Sequence, residues 1–572
     1  MSITPRPGKP LLALALALQV IWGAVFIART PVTIDGTRYF TLFDDAMISM
    51  RYARNLADGH GLVWNAGDAP IEGYTNFLWT LYMAALHGVA SEPIVPLLVS
   101  LTGLAVLVAN LFLVWAIARR LAPDLPHAAP AAVLMVACLY SLGYWTLRGM
   151  EVGLLALAID AGVLGVLLVE AGGSGALLAG ALTLLPLLRA DGAVPALLIG
   201  GYACLSLGGR SIRAWTFLAL PCAAIAAHTG FRVWYYGEWM PNTYYLKMTG
   251  APIALRLRRG LLSTALEGAW ALWPIALLAT ASRPLTSHRR LLTLIASIVA
   301  VYSVYVGGDA WEWTGHVNRY LVCAAPLALI LAATGIARLA SASPEASPRP
   351  WFVAALAAGG LATYIVAALR FFPEPELAVA RPFLLGAVIL CTLGAAWSYA
   401  ARRRMFVALA VTTVVLVASG AKALEWFRYN DLHVVDDRYS AELGVRLGQF
   451  TQPEARIAVV TAGAVPYFSH RWTADLLGKN DAHIAHLPSH LPLYPGHDKW
   501  DYRYSVDRWR PDVIVQLWRP SVEDVAYVIS RGYVDYPSGI FVRRDSRMVD
   551  GERLLAAVDD LERRHAAARR RP

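Results

Sequence analysis

Residues 39–79 read YFTLFDDAMISMRYARNLADGHGLVWNAGDAPIEGYTNFLW, and the reading of this stretch decides the reading of the rest. It follows the first apolar segment and carries two adjacent carboxylates, Asp44 and Asp45, at the head of an amphipathic pattern. Ala46, Ile48, Met50, Tyr52 and Ala53 are mixed there with Arg51 and Arg54, which predicts a helix lying at the membrane surface. Asp44 falls near the N-cap, where a carboxylate accepts backbone N–H bonds and suits the helix dipole. Capping needs one acid. Two together point to chemistry, as a general base with an orienting neighbour or as a pair sharing a cation.

The end of the stretch fixes the topology. Segment 74–90 is apolar, yet counting it as a span would put Arg119 and Arg120 on the opposite side from the other short basic turns. Those turns contain Arg210 and Arg213, then Arg283, Arg289 and Arg290, then Arg402 to Arg404. With the N-terminus cytoplasmic and 74–90 lying at the surface or re-entrant, all of them fall inside, as the positive-inside rule requires. The outer side then receives loops 30–93, 232–260 and 307–319 and everything from 425 onward.

Composition agrees with a polytopic α-helical membrane protein. The 572 residues are 57% hydrophobic and 16% charged, with a mean hydropathy of +0.48, where a soluble chain carries about 25% charged residues. Candidate spans are 11–29, 94–118, 128–146, 151–170, 174–190, 193–208, 214–231, 261–281, 291–307, 319–338, 351–370, 382–401 and 405–424, about thirteen at roughly 20 residues each. Residues 1–30 look like a signal peptide, but the apolar run is long and no A-x-A site follows, so an uncleaved first helix is expected. The formal net charge of +10 sits mostly on arginine in loops and at the C-terminal end. It suits anionic headgroups or phosphates rather than nucleic acid. All five cysteines lie in apolar segments and read as small core residues.

From about 425 the composition becomes that of a soluble domain, giving a 1–424 membrane domain and a 425–572 α/β cap domain. Strands are expected in ARIAVVTAG (455–463), RPDVIVQLW (510–518) and SGIFVRRD (538–545), with helices between and after them.

Several polar groups join the paired acids on the outer side. Glu72 and Asn76 precede an apolar helix and suit a sugar with Trp79 as stacking face; a capping box with Thr75 explains the same residues. Arg148 with Glu151 and Arg189 with Asp191 sit at span ends, where charges also snorkel. The second outer loop interleaves aromatics with Asn242, Tyr244, Tyr245 and Lys247, as a phosphate-linked sugar or an aromatic belt would. The third offers Asp309 and Arg319, whose fork can engage two phosphate oxygens. The cationic Arg51, Arg54, Arg256, Arg258 and Arg259 fit either a phosphate ligand or lipid headgroups. In the C-terminal domain Asp475, Asn480, Asp481, His483, His486, His490 and His497 read as a polar loop against the membrane-domain cavity; their spacing matches no zinc motif. No Walker A loop, G-x-S-x-G elbow or H-E-x-x-H helix occurs.

In FDDAMISMRYARNLADGHGLVWN, EGYTNFLW, GMEVG, RADG, PNTYYLK, GGD with Arg319, and DLLGKNDAHIAH with GHDK and RPDVIV, the chain resembles GT-C superfamily membrane glycosyltransferases. It is most similar to the polyprenyl-phosphate-dependent arabinofuranosyltransferases of bacterial envelopes, of the mycobacterial terminal arabinan and pilin arabinosyltransferase type. The resemblance implies a bacterial cytoplasmic-membrane enzyme with a polyprenyl-phosphate sugar donor at the outer face and a glycan or protein acceptor. It implies catalysis by Asp44 or Asp45, donor phosphate on Arg319 and Lys247, and a cap domain over the acceptor. Some members use a divalent cation and others do not, which leaves that cofactor open. Related enzymes transfer other lipid-linked sugars or whole oligosaccharides. A transporter or lipid flippase, by contrast, would place ionisable groups near the midplane of spans; here Asp160 is the one such group.

Overall fold

The computed structural model describes residues 8–209, 211–267, 286–311, 318–341, 426 and 432–570. The chain opens with helix α1 (Lys9–Ala28) and a hairpin of β1 (Val32–Ile34) and β2 (Thr37–Tyr39), then α2 (Asp44–Ala57), α3 (Phe77–His87) and α4 (Val95–Leu121). There follow α5 (Ala128–Ala137), α6 (Tyr140–Leu147), α7 (Val152–Glu170), α8 (Ala176–Leu188), α9 (Ala193–Ser206), α10 (Ile212–Tyr236), α11 (Asn242–Met248) and α12 (Ile253–Glu267). Helices Ser287–Val306 and Ala325–Ser341 continue the bundle.

This is a helical membrane protein. Among the described residues five helices are long and apolar enough to cross a bilayer, namely α1, α4, α7, α10 and Ser287–Val306. The pair α5 and α6, bent by 49° at its break, makes a sixth if counted as one. Among the described residues the expected thirteen are not reached. Spans 351–370, 382–401 and 405–424 lie outside the described residues, as does most of 261–281. Helices α8, α9 and Ala325–Ser341, where 174–190, 193–208 and 319–338 were expected, have 13, 14 and 17 residues.

Lipid explains which faces are apolar and bare. Leu14, Leu18 and Ile21 on α1, Phe112 on α4 and Trp234 on α10 are exposed, while Leu155, Ile159 and Val163 on α7 are buried in the shared core. Exposed apolar side chains need no covering in a bilayer, and each helix satisfies its own backbone polar groups there. Asp160 is the exception: it is fully buried in α7, with neither carboxylate oxygen hydrogen-bonded among the described residues.

Helix α3 has 11 residues, about 16 Å at 1.5 Å each, roughly half of a bilayer's hydrocarbon core. Its end touches the C-terminal region, where His87 Nε2 lies 2.9 Å from the Tyr467 hydroxyl.

The C-terminal region is α/β. A five-stranded sheet runs in the order β4–β3–β5–β7–β6, from β3 (Arg456–Val459), β4 (Trp472–Asp475), β5 (Val513–Ile514), β6 (Tyr533–Asp535) and β7 (Phe541–Arg543). β3 pairs in parallel with β4 and β5, and β7 pairs antiparallel with β5 and β6. The expected strands are present but shorter, and β4 and β6 are additions. Alternation along β3 explains the layering. Ile457 and Val459 pack with Leu443 and Leu447 of helix Leu432–Phe450 and Leu554 and Val558 of helix Gly551–Arg570. Ala458 packs on the other face with Tyr502, Val506 and Val528.

Candidate active site

Phe43, with extended backbone, is the N-cap of α2, so Asp44 and Asp45 are its first two helical residues. Consecutive helical residues diverge by about 100°, and the two acids therefore meet different partners. Asp44 turns to the C-terminal region and accepts backbone N–H bonds from Gly463 at 3.2 Å and Ala464 at 2.9 Å. The approach is so close that a Cβ on Gly463 would fall 1.9 Å from the Asp44 carbonyl oxygen. Only glycine fits there.

Asp45 faces a cavity of about 330 Å³. Its Oδ2 accepts from Arg319 Nη1 at 2.9 Å, and its Oδ1 from Lys479 Nζ at 3.0 Å. Arg319 is held in turn by Asp309, through Nε–Oδ2 at 2.8 Å and Nη2–Oδ1 at 2.9 Å. Asp309, Arg319, Asp45 and Lys479 form a row of alternating charge. Burial tends to raise the Asp45 carboxyl, but Lys479, Arg319 and Lys247 together hold it well below the usual range. Asp44 is raised to about 6, because burial outweighs Lys479 and the two backbone donors. One acid is thus a firm anion at neutral pH and its neighbour a weaker one.

A second row lines the same cavity. Ser49 donates to Asn76 Oδ1 at 2.8 Å, and Asn76 Nδ2 donates to Glu151 at 3.0 Å. Arg189 reaches Glu151 at 3.2 Å and forks onto Asp191 at 2.6 and 2.7 Å. Arg189 therefore serves both acids, and Arg148 does not pair with Glu151. Tyr244 and Lys247, from α11, complete the wall with Tyr320. Lys247 makes no hydrogen bond or ion pair among the described residues.

Other sequence-derived candidates lie elsewhere. Arg148 is fully buried against Asp437 and joins the bundle to the C-terminal region. Glu72 pairs in the interior with Arg232 instead of capping with Thr75, and the N-cap of α3 is Asn76. Asn242 donates to the carbonyls of Gly478 and Lys479 at 2.9 and 3.0 Å. Tyr245 bonds Glu238 and stacks on His486 at 4.4 Å. Asp475 shapes the Lys479 loop by accepting from the backbone of Leu477, Gly478 and Asn480, and Asp481 caps the short helix after it. His497 is buried beside Trp311 and Trp518, and burial, then Lys479, pushes its ring down to about 3. Arg256 and Arg259 bond backbone carbonyls. Lys479 itself was unmarked in the sequence, although it lies within the quoted DLLGKNDAHIAH.

The donor set does not fit a divalent cation. Among the described residues no three His, Cys, Asp or Glu side chains gather as ligands. Both Asp45 oxygens are already engaged by an ammonium and a guanidinium.

A helical bundle with an α/β region beside a charged cavity occurs also in solved structures of similar fold. The chain is similar to ArnT from Cupriavidus metallidurans in the apo state, with a TM-score of 0.55 at 15% identity, over 93% of this chain and 97% of that one. It is similar also to ArnT from the same organism bound to undecaprenyl phosphate, with a TM-score of 0.51 at 13% identity, over 80% and 84% of the two chains. At these identities the likeness is one of fold. Residues 428–553 match the family model described as a domain of unknown function, DUF8728. No curated protein matches the sequence.

Proposed function

We propose that this chain is a GT-C-type glycosyltransferase of the bacterial cytoplasmic membrane. It moves a sugar, D-arabinofuranose, from a polyprenyl phosphate to an envelope glycan or pilin acceptor at the outer face. The observation that carries this reading is the setting of Asp45, an ionised carboxylate held by Arg319 and Lys479 in a cavity with the uncommitted Lys247. The ArnT-like fold, seen also in a complex with undecaprenyl phosphate, supports a lipid-phosphate donor. The motif resemblance supports the pentose.

The donor phosphate docks on Lys247 and draws on Arg319 and Lys479, both within reach of the same space. As they turn to the phosphate, Asp45 loses part of the field that holds its carboxyl down and becomes a better base. The acceptor hydroxyl then attacks the anomeric carbon, and its proton passes to Asp45. The bond from that carbon to the phosphate oxygen breaks, with its electron pair leaving on the polyprenyl phosphate. The cations stabilise the growing negative charge. Asn76, Glu151 and Asp191 offer polar contacts to the sugar hydroxyls, and the C-terminal region covers the acceptor side.

Mass spectrometry of envelope glycans and pilins from a deletion strain tests this. Loss of a pentose at a defined linkage is the expected result. Loss of a hexose would overturn the arabinose assignment, and an unchanged envelope would overturn the function.

A further inference from the structure

Helix α2 lines a second cavity with a different face. Arg51, Arg54, Asn55 and Asp58 recur at i, i+3, i+4 and i+7, the spacing of one helical stripe, and with His60 and Arg471 they border a space of about 220 Å³. The stripe lies about a third of a turn round the helix from Asp45, Ile48 and Ser49, and Arg54 is about 14 Å further along the axis.

The positive charge there is only partly balanced, because Asp68 and Glu454 act on Arg51 and Arg471 from beyond ion-pair distance. Arg51 is 3% exposed, and its guanidinium donates to the carbonyls of Trp64, Pro466 and Arg471 and to the side chains of Asn65 and Thr473. Arg471 donates to oxygens of Thr451 and Gly448. Neither has a carboxylate within ion-pair distance among the described residues. Arg54 spends Nη1 on the Tyr467 carbonyl and lies 3.7 Å from Glu92, a carboxylate that also engages His470. Its Nε and Nη2 have no acceptor among the described residues. Three guanidinium groups thus converge on a cavity bordered by one acid, Asp58. Guanidinium does not deprotonate in proteins, and a buried charge without a counter-charge is costly. An anion would complete the set.

We infer that this cavity binds a phosphate oxyanion, separately from the transfer site. The Nε and Nη2 of Arg54 form a fork that suits phosphate geometry, and Arg471, with Nη1 without an acceptor among the described residues, borders the same cavity. Either a phospholipid headgroup or a soluble phosphate supplies that chemistry. Glu92 lies three residues before the start of α4 at Val95, so a headgroup is within reach. This inference does not depend on the transferase reading.

The test is titration of the full chain in detergent with inorganic phosphate, followed by 31P line broadening. It is done in a Lys247→Ala background so that the transfer cavity contributes little. Saturable binding is expected. Arg54→Gln should weaken it at least tenfold, and Asp58→Asn should tighten it about threefold, a gain that misfolding cannot imitate. In phosphatidylglycerol nanodiscs, loss of the phosphate response identifies a headgroup as occupant, and an unchanged affinity identifies a soluble phosphate. No saturable binding in detergent, or an affinity unmoved by both substitutions, overturns the inference.

Discussion

The Asp45 carboxylate meets the Lys479 ammonium at 3.0 Å across 434 positions of chain. In the proposed reaction this contact makes the C-terminal region part of the site as well as its cover. Asp475 holds the loop that carries Lys479 through three backbone N–H groups, and Asn242 of α11 grips the same loop from the membrane side. Three distant segments therefore set one charge beside another.

Asp45→Asn should lower kcat by about 10²- to 10⁴-fold, the usual contribution of a general base, with donor KM changed little. Turnover of polyprenyl-phosphate-linked sugar by the purified chain measures this. A variant within threefold of wild type would remove Asp45 from the chemistry.

Asp44→Asn should keep turnover within about tenfold of wild type, since Asp44 faces backbone amides and not the cavity. Its carboxyl sits near about 6 against an ordinary 3.8. Between those values the folded chain binds more protons than the unfolded one, so this group's contribution to stability falls as pH rises from 3.8 to about 6. Asp45, held below its ordinary value, acts with the opposite sign and only below 3.8. The Tm of wild type minus that of Asp44→Asn should therefore decline across pH 4 to 6 and level off above. A flat difference over that range would contradict this placement.

Lys247→Ala should raise donor KM about tenfold or more, the worth of one hydrogen bond to a charged group, and leave Tm unchanged. Steady-state kinetics with the donor varied, beside a melting curve, separates the two effects. A fall in Tm with KM unchanged would make Lys247 a structural residue.

Gly463→Ala should depress both Tm and turnover. Its new Cβ would fall 1.9 Å from the Asp44 carbonyl oxygen, which forces the C-terminal region away from α2 and carries Lys479 with it. A thermal melt and a transfer assay on the same preparation would check this. Unchanged values would mean that the contact is looser than the geometry requires.

Much of this arrangement is legible in the sequence because periodicity and span length are local. The apolar helices and the strands at 455–463 and 510–518 follow from such patterns. The different partners of Asp44 and Asp45 do not, because a turn of 100° between neighbours has no meaning until a second surface is present. Lys479 was invisible for a related reason: a lysine in a loop is unremarkable until the fold brings it to an acid. The partners of Arg148 and Glu72 are not legible either, because a charge at the end of a span looks alike whether it meets a ligand or a buried partner such as Asp437 or Arg232. The histidines of 483–497 read in the sequence as part of a polar loop, and aromatic neighbours take two of them: His483 stacks on Tyr504 and His490 on Trp500, each at 4.0 Å. Strands β4 and β6, Trp472–Asp475 and Tyr533–Asp535, carry no run of Val and Ile like those at 457–460 and 513–515 that mark β3 and β5.

The two charged rows bordering the cavity are unlike in sign. Asp309, Arg319, Asp45 and Lys479 with Lys247 carry one positive charge more than negative, while Glu151, Arg189 and Asp191 carry one negative charge more than positive. A molecule with an anionic head and a hydroxylated tail can settle there in one direction only. Turned end for end, it would press its head against Glu151 and Asp191, so the chamber has a built-in polarity that governs which end of a ligand meets which wall.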